Sequence, residues 1–440
     1  MVSLFKNKSF TLLFLGRLIT NAGDSLYYVA AMWLVYKLGG SSFYTGLAGF
    51  LTLFPNLLQF LTGPLVDRWP LKKTLLIPEI TQGIIILIIP LLAFLDLLSV
   101  TAILIIMPIL SLINQFVYPA QAVALPQLLK KEQLVKGNSA MAFAYQGIDM
   151  FFNAIAGIII ALIGAVSLLI VDSITFAIAA ILFASLKLPK RENDKNTEEK
   201  LSLKENIKVY TSDLKEGFTF IMKSIFAKFF VVSVVANFTF GAAMAVLPAY
   251  ADWRGGPEVY GALLAALSAG LLIGALLAPL FDRFPLGKLV IISFIISAFF
   301  WFSSVSVYWN PASIILLGLA TIPIGATNVI LAAVRQIIAP QHLLARISSV
   351  GASISMSAMP VGSLIGGFVA TIVSSTIVFY SASFGLLFIS VYFLFNSTLR
   401  KLPNSDNLDA EKLGFATVSE TDIMDNRCQV SEARGQTGTN

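Results

Sequence analysis

Apolar residues in this chain run in long stretches with few polar interruptions. A helix needs about 20 mostly apolar residues to cross a bilayer. Twelve stretches meet that length: residues 10–36, 44–66, 74–95, 100–126, 139–163, 166–187, 226–250, 258–281, 288–308, 311–338, 347–372 and 374–398. The pattern predicts an all-α membrane protein of twelve transmembrane helices. The connections are short except near 188–224, which is charged and lysine-rich and is expected to carry an amphipathic surface helix. This break divides the chain into an N-terminal six-helix bundle (1–187), a cytoplasmic linker (188–224), a C-terminal six-helix bundle (225–400) and a polar tail (401–440) expected to be disordered.

Lysine and arginine stay on the cytoplasmic side of a membrane protein. One face of the predicted bundle collects Lys6, Lys8, Arg68, Lys72, Lys73, Lys130, Lys131, Lys136, the linker, Arg283, Lys288, Arg346, Arg400 and Lys401. The opposite face takes Lys37 and Arg254. With an even number of spans, both termini are expected in the cytoplasm. The segment after Lys6 and Lys8 runs past signal-peptide length without a small-residue cleavage site, so it is taken as a retained first span.

The loop after the second stretch, PLVDRWPLKKTLLI (64–77), recurs after the eighth as PLFDRFPLGKLVII (279–292). Asp282 stands to Asp67 as Gly261 stands to Gly46, so the two copies share one offset. Six spans separate them, and both loops therefore face the same side. Parallel halves related by an axis along the membrane normal are a transporter architecture with its site between the halves near the midplane. Duplication also builds channels and scaffolds.

Composition agrees. The 440 residues are 57% hydrophobic and 12% charged, against about a quarter charged in soluble domains. The net charge of +6 is a matter of loop placement here, and no nucleic-acid partner is expected. A single cysteine, Cys428, allows no internal disulfide, and a single histidine, His342, excludes a histidine-rich metal site.

The loop at 64–77 resembles the signature of the major facilitator superfamily, with Gly63, Asp67, Arg68, Lys72 and Lys73 in matching positions and Pro70 where many members have glycine. Stretches 16–42, 116–141, 171–180, 259–277 and 342–367 are similar to a bacterial efflux branch that includes macrolide-efflux and siderophore-export permeases. The resemblance implies the major facilitator fold and alternating access. It also implies a gating role for Gly63, Asp67, Arg68, Lys72 and Lys73, with Asp282, Arg283 and Lys288 as a weaker second copy in which Gly287 replaces a lysine. In the family the loop carboxylate pairs with a helix end of the opposite half and latches the outward-facing state. Lys72, Lys73 and Arg68 would also serve as anchors at anionic headgroups. The chain departs from the family pattern in two places. The fourth stretch offers Asn114 and Gln115 where many proton-coupled exporters have arginine, and Asn153 stands near a common Gly-Pro position.

An ionisable side chain within a span costs roughly 2.5–3.5 kcal/mol on insertion scales and is a functional candidate by default. Arg17, Asn21, Asp24 and Tyr28 fall on one helical stripe, expected to face the cavity as proton-coupling or substrate residues, or else to form an Arg17–Asp24 packing network. Asp149, with Gln146 and Asn153, makes a second stripe. Asp172, near a helix start, and Glu79, within reach of Lys72 or Lys73, are taken as structural. Phe14, Tyr27, Tyr28, Trp33, Tyr145, Phe151, Phe238, Phe240 and Trp301 are candidate cavity aromatics, with packing or lipid contact as the alternative.

No nucleotide-binding loop, H-E-x-x-H or C-x-x-C motif is present. No enzyme activity, cofactor or metal is expected. The expected partners are a small-molecule substrate, protons as coupling ion and the lipid bilayer, with the protein a monomer. The leading reading is a proton-coupled exporter of amphipathic small molecules such as drugs or macrolide-like antibiotics. The alternatives are an exporter of an endogenous metabolite such as a siderophore, and a non-transporting receptor or lipid-handling protein on the same fold.

Overall fold

The computed structural model describes residues 4–58, 69–130, 133–187, 222, 224–281, 283–338 and 344–404. Gly63, Asp67, Arg68 and Asp282 lie outside the described residues, as do the expected surface helix of the linker and the tail from residue 405.

The first half holds α1 (Lys8–Gly39), α2 (Ser42–Leu53, continued by a 3-10 turn Phe54–Leu58), α3 (Leu71–Ile86) with α4 (Ile88–Phe94), α5 (Val100–Asn114) with α6 (Val117–Leu128), α7 (Leu134–Ala142) with α8 (Ile148–Ile163), and α9 (Ala165–Ala184). The second half holds α10 (Phe226–Arg254), α11 (Pro257–Phe281), α12 (Leu286–Ser306), α13 (Asn310–Ile338), α14 (Leu344–Ile372), α15 (Ser375–Phe395) and a short α16 (Ser397–Arg400). Taking each broken pair as one segment, twelve helical segments follow the twelve predicted stretches in order. Eight of the described helices are long and apolar enough on their own to cross a membrane. Large apolar side chains such as Ile84, Leu162, Leu276 and Phe299 are exposed around the outside, where hydrocarbon is the natural solvent.

Local signals set the ends and breaks. The Asn7 side chain accepts from the backbone N–H groups of Ser9 and Phe10 at the start of α1, supplying acceptors that the first helical turn lacks. Gly40, at φ 63°, closes the other end in a left-handed conformation that glycine adopts without penalty. The α5–α6 break falls at Gln115–Phe116, because Pro119 has no N–H to give to the carbonyl four residues back. Between α7 and α8 the chain makes one π-helical turn, Phe143–Gly147.

Within the first half, α9 packs on α1 and α3. In the second, α13 packs on α11 and α12, and α15 on α10 and α12. The halves meet through α2 against α14 and α10, and α8 against α11. Two glycine pairs mark these seams. A Cβ on Gly46 would run into the backbone of Gly367, and a Cβ on Gly157 into the backbone of Gly261. Gly46 and Gly261 are the pair related by the sequence repeat, so equivalent positions make the two seams.

Further cross-half contacts gather at the same end of the bundle, away from the termini. Thr45 Oγ1 donates to the Ala245 carbonyl at 2.5 Å. Ser363 Oγ donates to the Gly46 carbonyl at 3.2 Å, and the rings of Trp33 and Tyr260 stack at 5.7 Å. Lys37 Nζ meets Asp252 Oδ1 at 2.7 Å, and Tyr36 donates to Asp252 Oδ2 at 3.1 Å.

The repeat is imperfect at Gly287 for a packing reason. A Cβ there would strike the carbonyls of Leu399 and Arg400, and the backbone N–H groups of Leu286 and Gly287 donate to the carbonyls of Pro403 and Leu402. The lysine found in the first copy has no room in the second.

Enlarging a seam glycine should block closure of this end. Overpacking typically costs about 1–3 kcal/mol, so Gly157→Leu should shift the closed-to-open ratio there by roughly 5–150-fold. Distances between spin labels at the outer ends of α8 and α11 measure this; an unchanged distribution would remove the seam from the closing mechanism.

Candidate functional site

A cavity of about 700 Å³ lies between the halves, within the size of small-molecule sites. From the first half it is lined by the predicted stripe, Arg17, Asn21, Asp24 and Tyr28 on α1, and by Tyr145, Asp149 and Asn153 on the segment containing α8. Both stripes therefore converge on one space. The second half contributes chiefly apolar and aromatic groups: Phe240, Met244, Tyr260, Met356 and Met359, with Leu264, Leu267, Leu271 and Ser268. The two walls differ in kind. Among the described residues, every charged side chain on the lining comes from the first half.

At the base of α1 the Arg17 guanidinium does not pair with Asp24, as the packing alternative supposed. Its Nη1 meets Glu79 Oε1 of α3 at 2.9 Å, and both side chains are buried, 2% and 0% exposed. Its Nη2 donates to Asn21 Oδ1 at 3.3 Å, and it lies over the Tyr145 ring at 5.3 Å. Tyr145 donates to Gln121 Oε1 of α6 at 2.6 Å, and Asn21 Nδ2 donates to the Ala144 carbonyl at 2.8 Å. The π-helical turn thus supplies two partners to α1, and π-turns are frequent where function constrains a helix. Glu79 does not reach for Lys72 or Lys73, which are exposed at the start of α3. The reason is thermodynamic: a buried guanidinium must be paired, and Glu79 faces it.

The two carboxylates on the cavity lining, Asp24 and Asp149, form no ion pair among the described residues. Asp24 lines the cavity and has no hydrogen-bond partner among the described residues. Asp149 Oδ1 lies 2.7 Å from Ser25 Oγ, which lies equally 2.7 Å from the Asn21 carbonyl oxygen. A serine hydroxyl carries one proton, so it satisfies one of these acceptors at a time. Donation to Asn21 leaves a bare oxygen–oxygen contact unless Asp149 itself carries the proton.

Asp172 is not placed by a helix N-terminus. Helix α9 begins at Ala165, about two turns earlier, and the dipole effect fades within the first turn. Of the nine candidate aromatics, Tyr28, Tyr145 and Phe240 line the central cavity. Trp301 is buried inside the second half, its Nε1 donating to the Phe379 carbonyl at 2.9 Å. Phe151 is exposed. Of the gating set, Lys72, Lys73, Arg283 and Lys288 are all exposed, with Arg283 over the Phe284 ring at 5.3 Å.

Sequence spacing missed three features. The Arg17–Glu79 pair joins residues on different helices, with no local signature. The Lys37–Asp252 contact joins opposite halves. The methionines of the second wall, scattered on α10 and α14, meet only through packing.

The buried pair has a measurable consequence. Breaking a buried pair by removing one partner typically costs about 3–5 kcal/mol, whereas replacing both by apolar groups is often neutral. Glu79→Gln and Arg17→Met should each lower stability by that amount, and Arg17→Met/Glu79→Met by much less. A double-mutant cycle on denaturant unfolding in detergent checks it; additive losses would refute the pairing.

Comparison with known proteins places this geometry. A family model described as transmembrane secretion effector matches residues 2–430. The chain is 26% identical over 296 residues to the MFS-type transporter YkuC of Bacillus subtilis (strain 168), covering 64% of this chain and 66%, just under two thirds, of that protein. It is 24% identical over 401 residues to the multidrug efflux pump Tap of Mycolicibacterium fortuitum, covering 89% of this chain and 96% of Tap. Among solved structures, the inward open conformation of the xylose transporter XylE from E. coli superposes with a TM-score of 0.63 at 14% identity, covering 93% of this chain and 99% of XylE. Twelve helical segments in two parallel halves around a shared cavity are the architecture of that fold, and the chain belongs to the transmembrane secretion effector family of major facilitator transporters.

Proposed function

We propose that this protein is a secondary active exporter of amphipathic small molecules, such as drugs or macrolide-like antibiotics, driven by exchange for protons. The observation that carries this reading is the asymmetry of the central cavity. One wall presents Asp24 and Asp149, while Arg17, the only cation on it among the described residues, is already paired with Glu79. The facing wall presents methionines and aromatic rings. Such a site suits a substrate with an apolar body and a cationic group. Methionine side chains adapt to differently shaped apolar bodies, which suits a broad substrate range. The similarity to Tap, an efflux pump, supports export. An exporter of an anionic siderophore would want a free cation in the cavity, and the engagement of Arg17 weighs against that alternative.

In this reading the termini are cytoplasmic, the protein sits as a monomer in the inner membrane, and the closed end of the bundle is external. The described state is then inward-facing. The Lys37–Asp252 pair and the glycine seams hold the external gate, while Asp67 and Arg68, with Lys72, Lys73, Asp282, Arg283 and Lys288, act on the cytoplasmic gate in the opposite state. A contact made in only one state shifts the balance between states. The exposed Lys37–Asp252 pair is worth at most about 1 kcal/mol, so it tunes that balance and does not lock it. Chain organisation follows the same reading: a six-helix bundle over 1–187, a cytoplasmic linker over 188–224, a second bundle over 225–400 and a tail over 401–440. Cysteine labelling tests the orientation: in a Cys428→Ser background, modification of Lys195→Cys by an impermeant reagent outside intact cells would overturn it.

Proton exchange is assigned first to Asp24 and next to Asp149. Reconstituted vesicles with an imposed pH gradient and a fluorescent lipophilic cation test it. Asp24→Asn should abolish pH-driven transport while retaining part of the binding, and Asp24→Glu should keep some transport because a titrating group remains. Normal transport by Asp24→Asn with loss in Asp149→Asn would move the role to α8. Normal pH-driven transport by both variants would refute proton coupling through these carboxylates.

A further inference from the structure

Beside the central cavity, lined by residues of the first half, lies a second, half-open chamber of about 130 Å³. Its polar lining comes from five helices: Asp24 and Tyr27 of α1, Thr52 of α2, Gln82 of α3, Asn114 of α5 and Asp172 of α9. Asp24 and Asn114 belong to both spaces. The chamber is too small for a drug-sized molecule, which takes about 300 Å³ or more. It is large enough for an ion with a few waters.

Three buried oxygens at this chamber have no hydrogen-bond partner among the described residues: Asp172 Oδ2, Tyr27 Oη and Thr52 Oγ1. Asp172 is 0% and Tyr27 8% exposed. The other Asp172 oxygen, Oδ1, accepts from Thr175 Oγ1 at 3.1 Å. Leaving a buried polar atom unpaired costs about 1–3 kcal/mol. Three such atoms, from three helices around one small space, point to something that all of them hold in common. Asp172 Oδ1 and the Thr175 hydroxyl occupy the place where a side chain on Gly23 would be, so a Cβ there would displace the carboxylate. The absent Cβ of Gly23 seats the carboxylate against the α1 backbone.

Charge narrows the occupant. Among the described residues no cationic side chain lines the chamber, and the guanidinium of Arg17 is engaged by Glu79. An ionised carboxylate buried without a partner is very costly. The available donors are carboxylate, hydroxyl and carboxamide oxygens, the ligands of hard cations. Asp24 opens also onto the central cavity, where it can stay hydrated, so Asp172 is the one carboxylate that must be neutralised within. A single positive charge does this; a divalent ion would overcompensate it. A proton on Asp172 would cancel the charge but would need separate waters for the Tyr27 and Thr52 oxygens, whereas one sodium ion among the three oxygens answers charge and ligation together. Water alone would satisfy those oxygens and leave the charge.

We propose that this side chamber is a binding site for a monovalent alkali cation, sodium, with Asp172 as its anionic ligand and Tyr27 and Thr52 as hydroxyl ligands. The proposal concerns binding to the isolated protein and stands apart from the direction or coupling of transport. The shared wall at Asp24 gives the ion a short electrostatic path to the central cavity.

Melting of the purified full-length protein in detergent, in sodium chloride against choline chloride at equal ionic strength and at pH 6 and pH 8, tests it together with equilibrium binding of radioactive sodium. The melting temperature should rise with the logarithm of sodium concentration above the dissociation constant. Asp172→Asn should remove the response. Tyr27→Phe and Thr52→Val should raise the half-maximal sodium concentration about tenfold or more, and they decide the matter if Asp172→Asn fails to fold. Identical melting in sodium and choline at every concentration and both pH values would overturn the proposal, with water as the occupant. A pH response without a sodium response would also overturn it, in favour of a proton. A sodium response that survives unchanged in all three variants would place the ion elsewhere.

Discussion

In a bilayer, helices gain nothing by hiding apolar surface from one another, so they hold together where small residues let their backbones approach. This constraint shapes the whole molecule. Gly46 against Gly367 and Gly157 against Gly261 bring the halves to backbone contact at one end. With the halves pinned there, the cavity between them follows, as does the placement of the α1 stripe opposite α10, α11 and α14. Because Gly46 and Gly261 are equivalent positions of a duplicated unit, the closed end has approximate two-fold character. A motion that opens one seam is geometrically suited to open the other.

Charge is distributed as unevenly as packing is symmetric. Among the described residues the second half contributes no charged side chain to the central cavity. The first half contributes Arg17, Asp24 and Asp149, and among the described residues it pairs Arg17 with Glu79. That pair, held by Asn21 and Tyr145 around the π-helical turn, secures the cation and leaves Asp24 and Asp149 facing open space. One half thus brings the charged groups to the cavity and the other an apolar wall. Asp24 lines both the central cavity and the side chamber that Asp172 also lines.

Much of this was legible in the amino-acid sequence. Stretch length alone predicts the helical segments, since hydrocarbon thickness sets how many apolar residues a crossing needs. The repeated P-L-x-D-R-aromatic-P-L-x-K loop predicts two parallel halves, and helical periodicity predicts that Arg17, Asn21, Asp24 and Tyr28 share a face. These are local or periodic properties that survive without knowledge of neighbours. Tertiary structure decided who pairs with whom. Glu79 lies 62 residues from Arg17 in sequence, and only the packing of α3 on α9, which packs on α1, brings them together. The same holds for Lys37 with Asp252 and for the methionine wall. It holds also for Asp172: sequence offered a helix-end carboxylate, and packing made it a wholly buried one, seated on Gly23 at the edge of the side chamber. Periodicity says which way a side chain points; only the assembled helices say what it meets there.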